Sequence, residues 1–327
     1  MTPTNAAAKA SKSSAHADDI AGQVRAGLSL QPKRLPPKFF YDARGSALFE
    51  QICQLPEYYL TRTELAILRE HAGEIAKAIG PRPLLVEYGS GSGIKTRLLL
   101  DALVDPVGYV PVEISRSALT ASIASLAESF PEVEMLPVCA DFTKPVILPV
   151  PKRQQESVTV FFPGSTLGNF EPGEALDLLR QMREEMGAAG AALIGIDLKK
   201  DTPTIEAAYN DRAGVTAQFT LNLLVRLNRE LHANFDLGQF RHRAVYNAGA
   251  GRIETFIVSQ RSQDVDIDGY RVHFDAAEQM QVEYSYKYSQ EDFERMAADA
   301  GLRVSRVWTD PAHMFAIALL RWAPLAD

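Results

Sequence analysis

The stretch Val86-Glu87-Tyr88-Gly89-Ser90-Gly91-Ser92-Gly93-Ile94-Lys95-Thr96 decides how the rest of the chain is read. It sets three alternate glycines between an apolar run, Leu84 to Tyr88, and an amphipathic stretch, Ile94 to Leu103. Glycine carries no Cβ, so such a loop turns tightly from strand to helix and lets backbone approach a ligand closely. Outward from it the same alternation recurs. Gly108 to Glu113, Val133 to Val138, Ser157 to Phe162 and Ala191 to Ile196 read as buried strands, with helices over Ser115 to Ser129 and Pro172 to Met186. Repeated strand-helix-strand units connected with a right-handed crossover make a parallel sheet covered on both faces. The predicted fold is therefore α/β and Rossmann-like.

The C-terminal piece extends this sheet. Ser289-Gln-Glu-Asp292 has the form of a helix cap, Gly301 stops the helix, and two strand-like runs follow, Arg303 to Trp308 and His313 to Trp322. Between Lys199 and Lys287 the texture changes. A helix over Gly214 to His232 precedes alternating runs at Phe240 to Tyr246, Arg252 to Ser259, Tyr270 to Phe274 and Gln281 to Tyr286, separated by turn residues such as Asp268-Gly269. We read this as an α+β insertion. The expected division is a disordered tail over 1–20, a sheet domain over 60–198 with 288–327, and a second domain over 21–59 with 199–287.

Composition narrows the function. Of 327 residues 46% are hydrophobic and 23% charged, enough to bury a normal core. A net charge of −7 without any basic run argues against nucleic-acid binding, which needs clustered Lys and Arg. The two cysteines and six histidines have no metal-ligand spacing, so no metal is expected. The apolar runs are strand-sized, far short of a bilayer span. The expectation is a cytoplasmic monomer acting on a small molecule.

Three acidic positions sharpen the ligand. Dinucleotide loops favour a G-x-G-x-x-G spacing. Here the third glycine comes one position early and Glu87 precedes the loop, the arrangement that suits S-adenosylmethionine (SAM), whose amino-acid end is cationic. Glu113 closes the second strand, where a carboxylate accepts ribose hydroxyls, and Asp141-Phe142 follows the third, where a carboxylate and a ring can receive adenine. The last two have plainer readings: Glu113 as an acid at a helix N-terminus, Asp141 as a turn former. All three sit at carboxyl ends of successive strands, where open α/β sheets bind ligands.

At the end of the fourth strand, Pro163-Gly-Ser-Thr-Leu-Gly-Asn169 forms a second glycine-punctuated loop. With Phe39-Phe-Tyr41-Asp-Ala-Arg-Gly-Ser46, Leu55-Pro-Glu-Tyr58-Tyr59-Leu-Thr-Arg-Thr-Glu64, Gly89 to Lys95, Ala208-Tyr209-Asn-Asp-Arg and Glu283-Tyr-Ser285-Tyr-Lys-Tyr, the chain from about Leu28 onward resembles the L-histidine Nα-methyltransferases that make hercynine in ergothioneine biosynthesis. The resemblance implies a class I SAM-dependent methyltransferase sheet with an inserted substrate-binding domain. It assigns Gly89, Gly91, Lys95, Glu113, Asp141 and Phe142 to the cofactor. It assigns Tyr58, Asn169, Tyr209, Glu283 and Ser285 to L-histidine; apart from the resemblance, the tyrosine-rich N-terminal segment offers Tyr41 as a methyl-pocket aromatic whose face can stabilise a growing cation. Two positions depart: Thr255 stands where a larger apolar residue is expected beside the substrate ring, and Glu113 where an Asp is expected.

The residues suit that task. Glu283 and Ser285, two apart on a strand, face the same way and offer an acceptor and a donor to the two ring nitrogens of imidazole. Alternatives are a methyltransferase of tryptophan or tyrosine, a non-catalytic SAM-fold binding protein, and a nicotinamide dehydrogenase, the last disfavoured by the glycine spacing.

Overall fold

The computed structural model describes residues 20–323 apart from 92 and 115. The expected tail lies outside these residues save for Ile20, which opens helix α1 (residues 20–28). The chain divides into two compact units: one runs up to Tyr58 and resumes over Asp201–Tyr284, the other takes Tyr59–Lys200 and the chain from Ser285 onward.

In the first unit α1 is followed by α2 (Ala43–Ile52), whose N-terminus is capped by the Asp42 carboxylate accepting from the Gly45 N–H at 2.7 Å. The second unit then holds α3 (Tyr59–Ile79), β1 (Pro83–Tyr88), α4 (Ile94–Ala102), β2 (Gly108–Glu113), α5 (Arg116–Ser129), β3 (Glu134–Met135), β4 (Val138–Cys139), β5 (Ser157–Phe162), α6 (Pro172–Met186) and β6 (Ala191–Asp197). Back in the first unit come α7 (Thr202–Tyr209), α8 (Val215–Glu230), β7 (Phe240–Asn247), β8 (Arg252–Ser259), β9 (Gln263–Ile267), β10 (Tyr270–Phe274) and most of β11 (Gln279–Tyr286). The chain ends with α9 (Gln290–Asp299), β12 (Leu302–Thr309) and β13 (Phe315–Trp322).

The second unit is the predicted α/β sheet, in the order β12-β13-β6-β5-β1-β2-β3, with β4 also on β2. β1 pairs in parallel with β2 on one side and β5 on the other, so the chain reverses its direction of winding at β1. That reversal opens a crevice at the strands' carboxyl ends, where Gly89 begins the glycine loop. β13 runs antiparallel between β6 and β12 and closes the edge, as the final helix and two runs led one to expect. α6 covers one face through Leu178, Leu179, Met182 and Met186, packed with Val86, Val160 and Ile194.

Three differences from the sequence reading have local causes. The expected strand Val133 to Val138 is broken into β3 and β4, because Pro137 has no N–H to continue the ladder. Helix α3 was not foreseen: its core-facing row of Leu60, Ile67, Leu68, Ile75 and Ile79 is interrupted by a fully buried Glu64. β9 was also missed, its Asp264 and Asp266 masking a strand that pairs antiparallel with β10 around Asp268-Gly269, both at positive φ. In the first unit β7 and β8 pair antiparallel, and α8 brings Phe219 against Phe40, Tyr41 and Phe49 at ring separations of 4.9 to 5.9 Å.

Candidate active site

In the sheet unit, the glycine loop is shaped for close approach. Gly89 and Gly91 have φ of 75° and 46°, and a Cβ built on Gly91 would meet nothing, so this backbone borders open space. A Cβ on Gly89 would lie 4.0 Å from the Phe142 ring. Phe142 is stacked on Tyr88 at 5.2 Å and 13°, with Phe162 and Phe170 edge-on. From α6, Gln181 donates to the carbonyls of Phe142 and Lys144 at 3.1 and 3.0 Å and so pins this segment. Asp141 forms the turn anticipated as its plainer reading: its Oδ1 accepts from the Thr143 N–H and hydroxyl at 3.0 and 2.6 Å. Glu113 is half-buried at the end of β2. Open loop, ring and carboxylates fit an adenosyl ligand.

Glu87 serves differently from the expectation that linked it to the cofactor's cationic end. It is fully buried, and one carboxylate oxygen accepts from Thr96 Oγ1 at 2.6 Å and from the Tyr109 hydroxyl, which ties β1, β2 and the start of α4 together. Burial pushes its pKa from 4.5 up to about 7, against the pull of Thr96, Tyr109 and Lys95. Between those values the folded protein keeps a proton that the unfolded chain has lost, so stability from this group falls as pH rises from 4.5 to about 7. The loss is on the order of 3 kcal/mol. Thermal unfolding across that range should show Glu87→Gln gaining steadily on the native protein; a constant difference would reject the assignment.

Lys95 reaches Glu64 Oε2 at 2.5 Å, and the Glu64 carboxylate also accepts from the Gly164 N–H at 2.9 and 3.0 Å. Glu64 ends a motif quoted for the family resemblance but carried no role there, since a lone charge on the otherwise apolar row of α3 does not announce what it holds. Lys95, Glu64 and the loop after β5 thereby become one unit. That loop turns at Ser165, whose φ is 57°, into a 3-10 turn over Thr166–Asn169. Gly168 is required there: an added Cβ would come 2.7 Å from the Tyr286 carbonyl oxygen. Asn169 follows, half-buried.

A second buried network surrounds Asp197 at the end of β6. Its carboxylate accepts from the Tyr59 hydroxyl at 2.9 Å, from Lys200 Nζ at 2.6 Å and from Lys287 Nζ at 2.8 Å. Lys287 also donates to Ser285 Oγ at 2.9 Å. Burial lowers the Lys200 pKa, with Asp197 opposing. Sequence reading singled out Ser285 but neither Asp197 nor Lys287.

In the other unit, Tyr58 is buried with its ring 6.4 Å from Tyr209 and 6.2 Å from Phe49. Burial first, then Tyr209, Cys53, Tyr41 and Glu283, push its pKa well above the usual tyrosine value. Tyr41 is 38% exposed, edge-on to Phe49 and Phe219. The Tyr209 carbonyl accepts from His242 Nε2 at 2.9 Å, which leaves His242 Nδ1 to accept from the Thr220 hydroxyl at 3.0 Å. Burial lowers the His242 pKa, favouring this neutral form. Thr255, read as a departure, is buried and donates to Glu283 Oε2 at 3.4 Å. Its hydroxyl steadies the half-buried carboxylate where an apolar side chain would only pack.

Among the described residues no group of His, Cys, Asp and Glu could hold a metal ion, and no helix is long and apolar enough to cross a membrane. The family model described as histidine-specific, SAM-dependent methyltransferase matches residues 20–322. A histidine N-alpha-methyltransferase of Mycolicibacterium smegmatis is 42% identical over 93% of this chain and 95% of its own length. Its namesake in Mycobacterium tuberculosis is 41% identical over 90% and 92%. Ergothioneine biosynthesis protein 1 of Neurospora crassa is 33% identical over 85% of this chain, which spans 32% of that longer protein. With the glycine loop at the reversal of the sheet and a match across nearly its whole length, this chain belongs to the SAM-dependent histidine-specific methyltransferases.

Proposed function

We propose that this enzyme methylates the α-nitrogen of L-histidine three times, forming the betaine that feeds ergothioneine synthesis. The observation that carries the substrate assignment is the pair on β11: a half-buried carboxylate, Glu283, two residues before a buried hydroxyl, Ser285. Neutral imidazole has one N–H and one bare nitrogen. Glu283 accepts from the first and Ser285 donates to the second. An indole has an N–H but no acceptor, and a phenol lacks this geometry, so the pair selects against tryptophan and tyrosine.

Gly89, Gly91, Lys95, Glu113, Asp141 and Phe142 would hold SAM, whose sulfonium would supply an electrophilic methyl and depart as the neutral thioether S-adenosylhomocysteine. The α-amine needs its lone pair free, so before each of the three rounds it passes one proton to solvent water, its ordinary pKa being about 8. Tyr58 is no phenolate base, because burial keeps its hydroxyl protonated. Its role, with Asn169 and Tyr209, is to hold the amine and carboxylate in line, a proximity effect worth several kcal/mol. The tyrosine faces, Tyr41 included, stabilise the growing cation. Reaction stops at the third methyl because no lone pair remains.

Incubation of the enzyme with SAM and histidine, tryptophan or tyrosine in turn, followed by mass spectrometry, tests the reading. Histidine should gain three methyl groups at the α-nitrogen. Turnover of tryptophan with histidine left untouched would overturn it.

A further inference from the structure

We infer that Lys287 is a positioning residue for substrate recognition: a fully buried ammonium that orients the Ser285 hydroxyl toward the bare imidazole nitrogen. The inference rests on the reading of Ser285 given above. The Lys287 side chain has 0% exposure, and its Nζ lies 2.8 Å from Asp197 Oδ2 and 2.9 Å from Ser285 Oγ. An ammonium can only donate, so Ser285 Oγ accepts in this bond through one lone pair and the hydroxyl hydrogen takes no part in it. That is the polarity an unprotonated ring nitrogen needs.

Burying a cation is costly unless it is paired, and a buried ion pair seldom stabilises a fold more than apolar packing would. Here two lysines and the Tyr59 hydroxyl share the single carboxylate of Asp197 at 2.6 to 2.9 Å. The backbone of the same residue reaches the second substrate element: the Asp197 N–H donates to Ser165 Oγ at 2.9 Å, at the start of the turn that carries Asn169. One buried carboxylate at the end of β6 thus fixes, through Lys287, the hydroxyl of β11 and, through its amide, the turn after β5. Asp197 ends β6 and Lys287 follows β11, and the two meet only in the fold, which suits orientation of two elements against each other.

The test is a double-mutant cycle of Lys287→Met and Ser285→Ala, each variant checked for folding by thermal unfolding and for cofactor-site integrity by titration with S-adenosylhomocysteine. Lys287→Met should raise KM for histidine roughly tenfold, the size expected for one misdirected hydrogen bond, with a smaller change in kcat. Ser285→Ala should do the same, and the double variant should be no worse than Ser285→Ala alone, because the lysine acts through the serine. A histidine analogue bearing pyrrole in place of imidazole keeps the N–H and lacks the acceptor nitrogen. The native enzyme should prefer histidine to it, and Lys287→Met should erase most of that preference. If Lys287→Met does not fold, Lys287→Gln replaces it; its amide is too short to span both partners, so the same rise in KM is expected. A native KM in Ser285→Ala would bring down the reading of Ser285 itself. A raised KM in Ser285→Ala beside a native KM in the folded Lys287 variant, or full additivity of the two, would overturn this inference alone.

Discussion

Glu64→Ala is expected to cost about 3–5 kcal/mol of stability, the range found when one partner of a buried pair is deleted. The carboxylate is fully buried on the core face of α3 and holds two groups, the Lys95 ammonium at 2.5 Å and the Gly164 N–H at 2.9 to 3.0 Å. Alanine leaves both without their acceptor, a cavity in their place, and a lysine of the glycine-loop helix turned loose. Cofactor binding should weaken along with the fold, since Lys95 and the loop after β5 lose their common anchor. Glu64→Gln keeps one oxygen for Gly164 and drops only the charge, so it should fall between native and alanine. Thermal unfolding and calorimetric titration with S-adenosylhomocysteine measure the two effects; an alanine variant native in both would show that the anchor is dispensable.

Glu283→Ala should lower kcat/KM for histidine roughly a hundredfold or more, about 3 kcal/mol, as expected when a charged hydrogen-bond acceptor is removed from a bound ring. The carboxylate is half-buried and Thr255 donates to it, so it is held in place before substrate arrives. Glu283→Gln retains a carbonyl acceptor and should keep a measurable part of the activity. Titration with S-adenosylhomocysteine should be unchanged in both, which separates substrate recognition from cofactor binding. Native kcat/KM in the alanine variant would remove Glu283 from the imidazole and with it the basis for selecting histidine.

Legibility differed by kind of feature. The parallel strands, α6, α9 with its Ser289 cap, and the antiparallel edge were readable because apolar period, glycine and capping residues act within a few positions of themselves. The glycine loop was readable for the same reason. Helix α3 was not, since a polar residue occupies its buried face. Tyr58, Glu283 and Ser285 received roles through family resemblance, while Glu64 and Lys287 stood in the same motifs without one and Asp197 lay outside them, because a lone charge in a sequence is more often a solvated one.

Sequence alone determined the sheet, the loop at its reversal and the family, all of them matters of local pattern or of motifs read in order. Tertiary structure alone decided which charges are buried and what they hold. Glu64 meets Gly164 across 100 residues of chain and Tyr59 meets Asp197 across 138. Whether a carboxylate is solvated or serves as an anchor depends on the desolvation and partners it finds in the folded chain, and neither is a property of its own neighbourhood in sequence.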